Sequence, residues 1–183
     1  MKRITNVNLS GLHLLELPPF LEEIDLICGY FNISHNRLTS INLCPKKVDT
    51  FNCSFNQLTS LLGTPKVNTS FNCSENKLTS LKGCPKRLNG RFDCTNNQLT
   101  SLEGGPEYVN GDYCCYSNPL ETLKGIPKII GGDFIYPWNS KNWSKGYIRS
   151  LSKIKGDIIR LNEFFEEDEV DPWHRDIEGN LDP

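Results

Sequence analysis

Residues 48–61 read VDTFNCSFNQLTSL, and the same arrangement returns at residues 67–81 and 88–102. In each copy a phenylalanine, a cysteine and an asparagine precede the motif L-T-S-L. The asparagine recurs every 20 or 21 residues, at Asn36, Asn56, Asn76, Asn97 and Asn118. A proline has the same period, at Pro45, Pro65, Pro85, Pro106 and Pro127. Two signals that share one period indicate a repeat protein.

The unit itself predicts a short strand with one buried face, because Phe51 and Cys53 alternate with polar residues. Strands stacked turn over turn form a parallel sheet. We expect each repeated asparagine to bond the backbone of the turn that follows the strand, including groups of the neighbouring turn, since buried backbone groups need partners. The Pro-Lys segment is too short for a regular helix, which predicts an extended or irregular outer side.

This arrangement resembles the leucine-rich repeat, L-x-x-L-x-L-x-x-N/C-x-L, over about residues 4–139. The resemblance implies a solenoid over residues 1–139 with about six to seven turns, the first and last degenerate. The short units resemble bacterial leucine-rich effectors. The wording T-S-L-x-G-x-P-K is more similar to small repeat proteins of tailed bacteriophages. The effector ligases carry a further catalytic domain, for which the 44 residues after Asn139 are too few.

The eight cysteines follow the repeat and not a disulfide or zinc pattern. Four of them share one repeat position and two share another, and no CxxC occurs. Because cysteine is a small side chain that is buried readily, we expect a core position (Cys53, Cys73, Cys94 and Cys115; Cys44 and Cys84). No cofactor or metal is predicted.

Composition limits the partners and the location. The net charge of −2 does not favour nucleic acid or an anionic membrane as the partner. No apolar run approaches the roughly 18–20 residues of a membrane span, and the first residues lack the apolar stretch of a signal peptide. We therefore expect a cytoplasmic protein, in the host cytoplasm if it is encoded by a phage.

Later copies of the unit carry one extra residue, at Asn89-Gly90, Asn110-Gly111 and Gly131-Gly132. Glycine tolerates a positive φ, so the sequence predicts such a backbone and a local bend there.

The C-terminal part breaks the repeat. Six apolar residues at helical spacing predict a helical cap over residues 140–168, divided into two helices at Gly156 with Asp157 as the N-cap of the second (Ile148, Leu151, Ile154, Ile158, Leu161 and Phe165). The alternative is a pair of helices that docks a partner. Residues 169–183 form an acidic segment that we expect to be flexible, with Trp173 as an anchor. We hypothesise that it lies near the row of lysines beside the repeat prolines (Lys46, Lys66, Lys86 and Lys128). The alternative is that these lysines are simply exposed to solvent.

The exposed strand positions of stacked turns form one surface, small and polar in its N-terminal half, larger and charged in its C-terminal half. Tyr116 and Trp138 are the predicted partner anchors, because aromatic side chains cover much area with little loss of entropy. The flanking residues are also assigned to this site (Arg91, Asp93, Asp112 and Asp133, with Phe55 and Glu75 further along). The alternative for Trp138 is packing against Trp143 and the cap.

The sequence thus predicts a non-enzymatic protein–protein interaction module, such as a phage-encoded inhibitor of a host defence or regulatory protein. One alternative is an assembly protein that contacts copies of itself or a virion component. The other is an enzyme activity in the C-terminal segment, which the sequence disfavours because His13, His35 and His174 fall on different elements without an evident nucleophile.

Overall fold

The computed structural model describes residues 1–138 and 141–161. They form a parallel β-solenoid of about seven turns, as the repeat predicts. A 3-10 helix, Pro19–Glu23, lies in the first turns, and α1 (Lys145–Leu151) lies near the C-terminus. The strands are β1 (Arg3–Ile4), β2 (Val7–Asn8), β3 (Leu26–Asn32), β4 (Lys47–Asn52), β5 (Lys66–Val67), β6 (Phe71–Asn72), β7 (Arg87–Leu88), β8 (Phe92–Asp93), β9 (Tyr108–Val109), β10 (Tyr113–Cys114), β11 (Ile129–Ile130), β12 (Phe134–Pro137), β13 (Lys153–Ile154) and β14 (Ile158–Leu161).

Two parallel sheets run along the solenoid. The main sheet has the order β1-β3-β4-β6-β8-β10-β12-β14, with β2 and β5 beside this path, and the second sheet has the order β7-β9-β11-β13. Equivalent residues pair in register, as Phe51 does with Phe71 and Asn52 with Asn72. The segments that follow the Pro-Lys motif are therefore extended, as predicted.

A column of aromatic rings fills the core beneath the main sheet. Six successive turns each contribute one fully buried ring, and the centroids of successive rings lie 5.0–5.9 Å apart (Phe31, Phe51, Phe71, Phe92, Tyr113 and Phe134). Beside it stand the four repeated cysteines, each with no exposed surface. Cys44 and Cys84 are also buried, and none of the eight cysteines is disulfide-bonded, so the prediction of a core role is confirmed.

Burial raises the pKa of the Cys53, Cys73, Cys94 and Cys115 thiols well above the ordinary value. Because the thiolate is the reactive form, we expect only the half-buried Cys28 to be alkylated by iodoacetamide at pH 8 in the folded chain. Mass spectrometry should find one modified thiol without denaturant and eight in urea. Rapid native alkylation of Cys73 would contradict this packing.

The repeated asparagines hydrogen-bond the backbone of two neighbouring turns, as expected. The side-chain amide of Asn56 donates to the carbonyl oxygens of Cys53 and Ser54 in its own turn and to Ile33 in the preceding turn, at 3.0–3.2 Å. Its Oδ1 accepts the N–H of Leu38 at 3.0 Å. The same set of bonds recurs at Asn76, Asn97 and Asn118. One side chain thus satisfies buried backbone groups of two turns at once.

The prediction for the extra residue is half right. In β4 the backbone runs straight through, whereas in later turns β7 and β8 are separate strands with a bend between them. The expected positive φ at Gly90, Gly111, Gly131 and Gly132 is wrong, because these glycines have no left-handed φ. Glycine is needed there for space, since a Cβ on Gly111 would lie 2.8 Å from the carbonyl carbon of Gly90.

Residues 141–161 hold one helix, where the sequence predicts parts of two. Helix α1 begins after Ser144, whose Oγ accepts the N–H of Tyr147 at 3.1 Å. The second predicted helix is wrong, because the chain instead makes β13 and β14, which pair with β11 and β12. Asp157 therefore caps no helix. Phe165 and the predicted acidic segment 169–183 lie outside the described residues.

Candidate protein-binding face

The outward face of the main sheet carries columns of side chains, and several columns are already occupied by bonds within the solenoid. The Oδ1 atoms of Asn32, Asn52 and Asn72 each accept a backbone N–H two residues further on, at 2.9–3.0 Å. Such local bonds fix the backbone after the strand. These asparagines therefore shape the face and are not available as its main contact groups.

Asp93 belongs to the same column and has the same task. Its Oδ1 accepts the N–H of Thr95 at 3.0 Å, and its Oδ2 pairs with the Arg91 guanidinium at 2.7 Å. Only 9% of Asp93 is exposed. The predicted pair of Arg91 and Asp93 is therefore a largely buried brace within the face, because both partners are withdrawn from solvent.

Asp112 and Asp133 link successive turns. An Oδ1 of Asp112 accepts the N–H of Asp133 at 2.8 Å, and an Oδ1 of Asp133 accepts the N–H of Asp157 at 2.7 Å. Ser70 does the same for Arg91 at 3.1 Å. Asp112 and Asp133 remain half-buried on the face, so a further carboxylate oxygen on each can meet a partner.

Phe55 and Glu75 stand in a column whose backbone is left-handed, with φ of 51° and 53°. The ring of Phe55 stacks on His35 with 4.2 Å between centroids, and Glu75 accepts a 2.6 Å bond from the side-chain amide of Asn96. A left-handed backbone is costly for residues other than glycine. Contacts between neighbouring turns therefore help to hold this column in place.

Trp138 is the most exposed of the predicted anchors, at 55%. The backbone N–H of Trp138 donates to the Leu161 carbonyl at 2.8 Å, and the backbone carbonyl of Trp138 accepts from Arg160 Nη2 at 2.6 Å. The Arg160 guanidinium carbon lies 4.5 Å from the Trp138 ring centroid, which is a cation–π distance. Trp143 packs instead against Tyr136, with 6.1 Å between centroids. Trp138 is thus in contact with a cation on one ring face, while more than half of its surface stays exposed.

Tyr116 is half-buried on the same face, one turn before Trp138. Arg160 is not among the residues predicted for this face, because the sequence predicts a helix at this position. The signal that reveals the last turn is the recurrence of Gly-Asp at 111–112, 132–133 and 156–157. That motif places Ile158 below Phe134 and Arg160 beside Tyr136.

Among residues 1–138 and 141–161 there is no group of three or more histidine, cysteine or carboxylate side chains arranged to hold a metal ion. Within the same residues no helix has the length and apolar content to span a bilayer. No protein-family model matches the chain, and no curated protein matches it.

Proposed function

We propose that this chain is a non-enzymatic protein-binding module whose partner contacts the outward face around Trp138. The observation that carries the proposal is a large exposed ring fixed in advance. Its backbone is bonded to β14 and one ring face is covered by Arg160. An aromatic anchor that is ordered before binding loses little entropy on association, which is typical of interface hot spots.

The neighbouring side chains have graded roles in this proposal. Tyr116 lies one turn before Trp138, whereas Asp112 and Asp133 directly precede β10 and β12; together they supply apolar area and acceptors for a partner's donors. Phe55 and Glu75 extend the surface toward the N-terminal half. Arg91 and Asp93 contribute by keeping the sheet rigid, because their ion pair is largely buried within the face.

We further propose that the repeat is a short form of the leucine-rich repeat, a proposal supported by the asparagine bonds between turns. The motif T-S-L-x-G-x-P-K supports a phage origin. With that origin, the proposed partner is a host protein of the defence or regulatory class. The proposed location is then the host cytoplasm.

Replacing Trp138 by alanine is expected to weaken partner binding by about 30-fold or more, since loss of a hot-spot aromatic costs about 2 kcal/mol or more. The full chain, immobilised, is incubated with host lysate, and a stoichiometric captured protein is identified and titrated against each variant. Tyr147→Ala is the matched control, because this ring is 48% exposed on α1, outside the proposed face.

Binding that survives in the Trp138 variant and falls in the Tyr147 variant would move the site to α1. Equal binding by all three proteins would exclude both aromatic residues as anchors. Circular dichroism of each variant checks that the solenoid is intact.

Assembly with copies of itself is the second candidate function, and a different observation favours it. The first turn exposes Leu12, Leu15 and Phe20 by 56%, 71% and 50%. Contiguous exposed apolar surface at the end of a solenoid is a common site of association. A defined oligomer in sedimentation velocity, dispersed by Leu15→Glu, would favour this candidate.

A further inference from the structure

Four lysine–carboxylate pairs join adjacent turns of the solenoid, at 2.6–3.0 Å. In three of them the lysine lies 21 residues after its carboxylate, and in the fourth Lys2 pairs with Glu23 (Lys46 with Asp25, Lys124 with Glu103 and Lys128 with Glu107). The lysine partners hold the pKa of the Asp25 and Glu107 carboxyls below their usual range. These pairs compensate part of the charge between neighbouring turns.

The last described turn is strongly basic. Residues 141–161 contain six basic side chains and a single acidic one, Asp157 (Lys141, Lys145, Arg149, Lys153, Lys155 and Arg160). The two arginines bond backbone carbonyls, Arg149 those of Ile154 and Gly156, and Arg160 that of Trp138.

Three lysines of this turn lack a carboxylate partner. Lys145, Lys153 and Lys155 are exposed, and no ion pair involves them within residues 1–138 and 141–161. Lys153 is the first residue of β13 and Lys155 directly follows this strand, so the two exposed lysines lie on either side of the buried Ile154. We call Lys145, Lys153 and Lys155 the last-turn lysines.

The sequence that follows supplies the missing charge. Residues 163–183 hold nine of the chain's 22 acidic residues and one of its 20 basic residues, so residues 1–161 are left with thirteen acidic and nineteen basic. Glu163, the first of these acidic residues, comes two residues after the end of β14, which belongs to the same turn as the lysines. An extended segment of 16 residues spans roughly 50 Å, more than enough to reach them.

We propose that the acidic segment 163–178 docks in cis on the last-turn lysines. It takes the position that a following turn would hold and compensates the charge of the last turn. The tyrosine and leucine that α1 leaves exposed, Tyr147 and Leu151, offer apolar contact beside the lysines for Phe164 and Phe165.

The lysine row near the prolines is the weaker site for this segment, contrary to the expectation from the sequence. Lys46 and Lys128 already pair with Asp25 and Glu107. Lys86 donates to the carbonyl oxygens of Gly104 and Gly105 at 3.3 Å. Of the row, Lys66 alone has neither kind of bond within the described residues.

Zero-length carbodiimide cross-linking of the full chain tests the proposal. Equal amounts of unlabelled and nitrogen-15-labelled protein are mixed, treated and digested, and Lys–Asp/Glu links are located by mass spectrometry. We expect links from the last-turn lysines to residues 163–178, within one isotopic form, and their loss in about 1 M salt, where screening is nearly complete. Links mainly to Lys47, Lys66 or Lys86, links of mixed isotopic form, or no links to the segment would each overturn the proposal.

A second measurement uses variants that keep the fold. In the triple variant Lys145→Gln, Lys153→Gln and Lys155→Gln, a glutamate-specific protease should cleave within 163–178 roughly five-fold faster, because three exposed ion pairs are lost. The control with Lys47→Gln, Lys66→Gln and Lys86→Gln carries the same change of charge in earlier turns and should be cleaved at the original rate. Equal rates in the last-turn variant and the unaltered chain would overturn the proposal.

Discussion

Replacing Asn76 by alanine is expected to lower the free energy of unfolding by about 3–5 kcal/mol. The change removes bonds from Asn76 to the carbonyl oxygens of Cys53, Cys73 and Ser74 and leaves the buried N–H of Leu58 without its acceptor. Each buried polar group left without a partner costs about 1–3 kcal/mol, and alanine offers no replacement. Since domains are stable by only about 5–15 kcal/mol, this is a large part of the total.

Urea denaturation followed by circular dichroism measures the effect, with the slope of the transition compared between variants. Asn42→Ala is the matched control, because this asparagine is exposed and should change stability by less than about 0.5 kcal/mol. If Asn76→Ala lowered the free energy of unfolding no more than the control does, water would be replacing the side chain. The proposed role of Asn76 in bonding two turns together would then be wrong.

Replacing Phe71 alone by alanine is expected to lower the free energy of unfolding by about 3–5 kcal/mol in the same measurement, as for other buried phenylalanines. The ring is 1% exposed and lies between Phe51 and Phe92, with centroid separations of 5.4 and 5.8 Å. Removing it opens a cavity in the middle of the aromatic column, and the turns on either side are held too firmly by backbone bonds to close it.

Phe20→Ala removes the same group from a site that is 50% exposed and serves as the control, with an expected loss below about 1 kcal/mol. Similar losses at Phe20 and Phe71 would mean that the column contributes no more than ordinary surface burial. A smaller transition slope in Phe71→Ala would indicate that the two halves of the solenoid unfold separately.

The parts of this fold that the sequence predicts are those that recur. Cys53 and Cys73 occupy equivalent positions, and one physical explanation, burial in the space between turns, serves for every copy. The bonds of Asn56 were predictable for the same reason, because a polar residue kept at a buried strand end has to satisfy the backbone there. Periodicity thus turns a weak argument about one residue into a strong one about a column.

The last turn was misread because its apolar spacing fits two structures. Ile154 and Ile158 are four residues apart, as on one face of a helix, and they are also core residues of two consecutive short strands separated by a bend. Propensity cannot choose between these, since isoleucine suits both. The choice is made by Gly156, where a Cβ would clash with the backbone of Gly132 in the preceding turn.

The candidate face shows a second limit of sequence reasoning. Asp93 and Asp112 look alike as outward acidic residues. The Asp93 carboxylate nevertheless pairs with Arg91, whereas the Asp112 carboxylate accepts the backbone N–H of Asp133 in the next turn. The difference depends on which neighbours stand within bonding distance across turns. Pattern alone therefore predicts this face with Trp138 as an anchor, and it does not predict the arginine that contacts the Trp138 ring.

The hydrogen bonds between turns join each coil to the next one, because the parallel strands of successive coils pair side by side. A force applied to the two ends of the chain would therefore load the outermost coil alone and peel it away before its neighbour is strained. Each released coil of 20 or 21 residues pays out roughly 70 Å of chain. The molecule would yield to tension in small equal steps, in contrast to a domain whose terminal strands are sheared against each other.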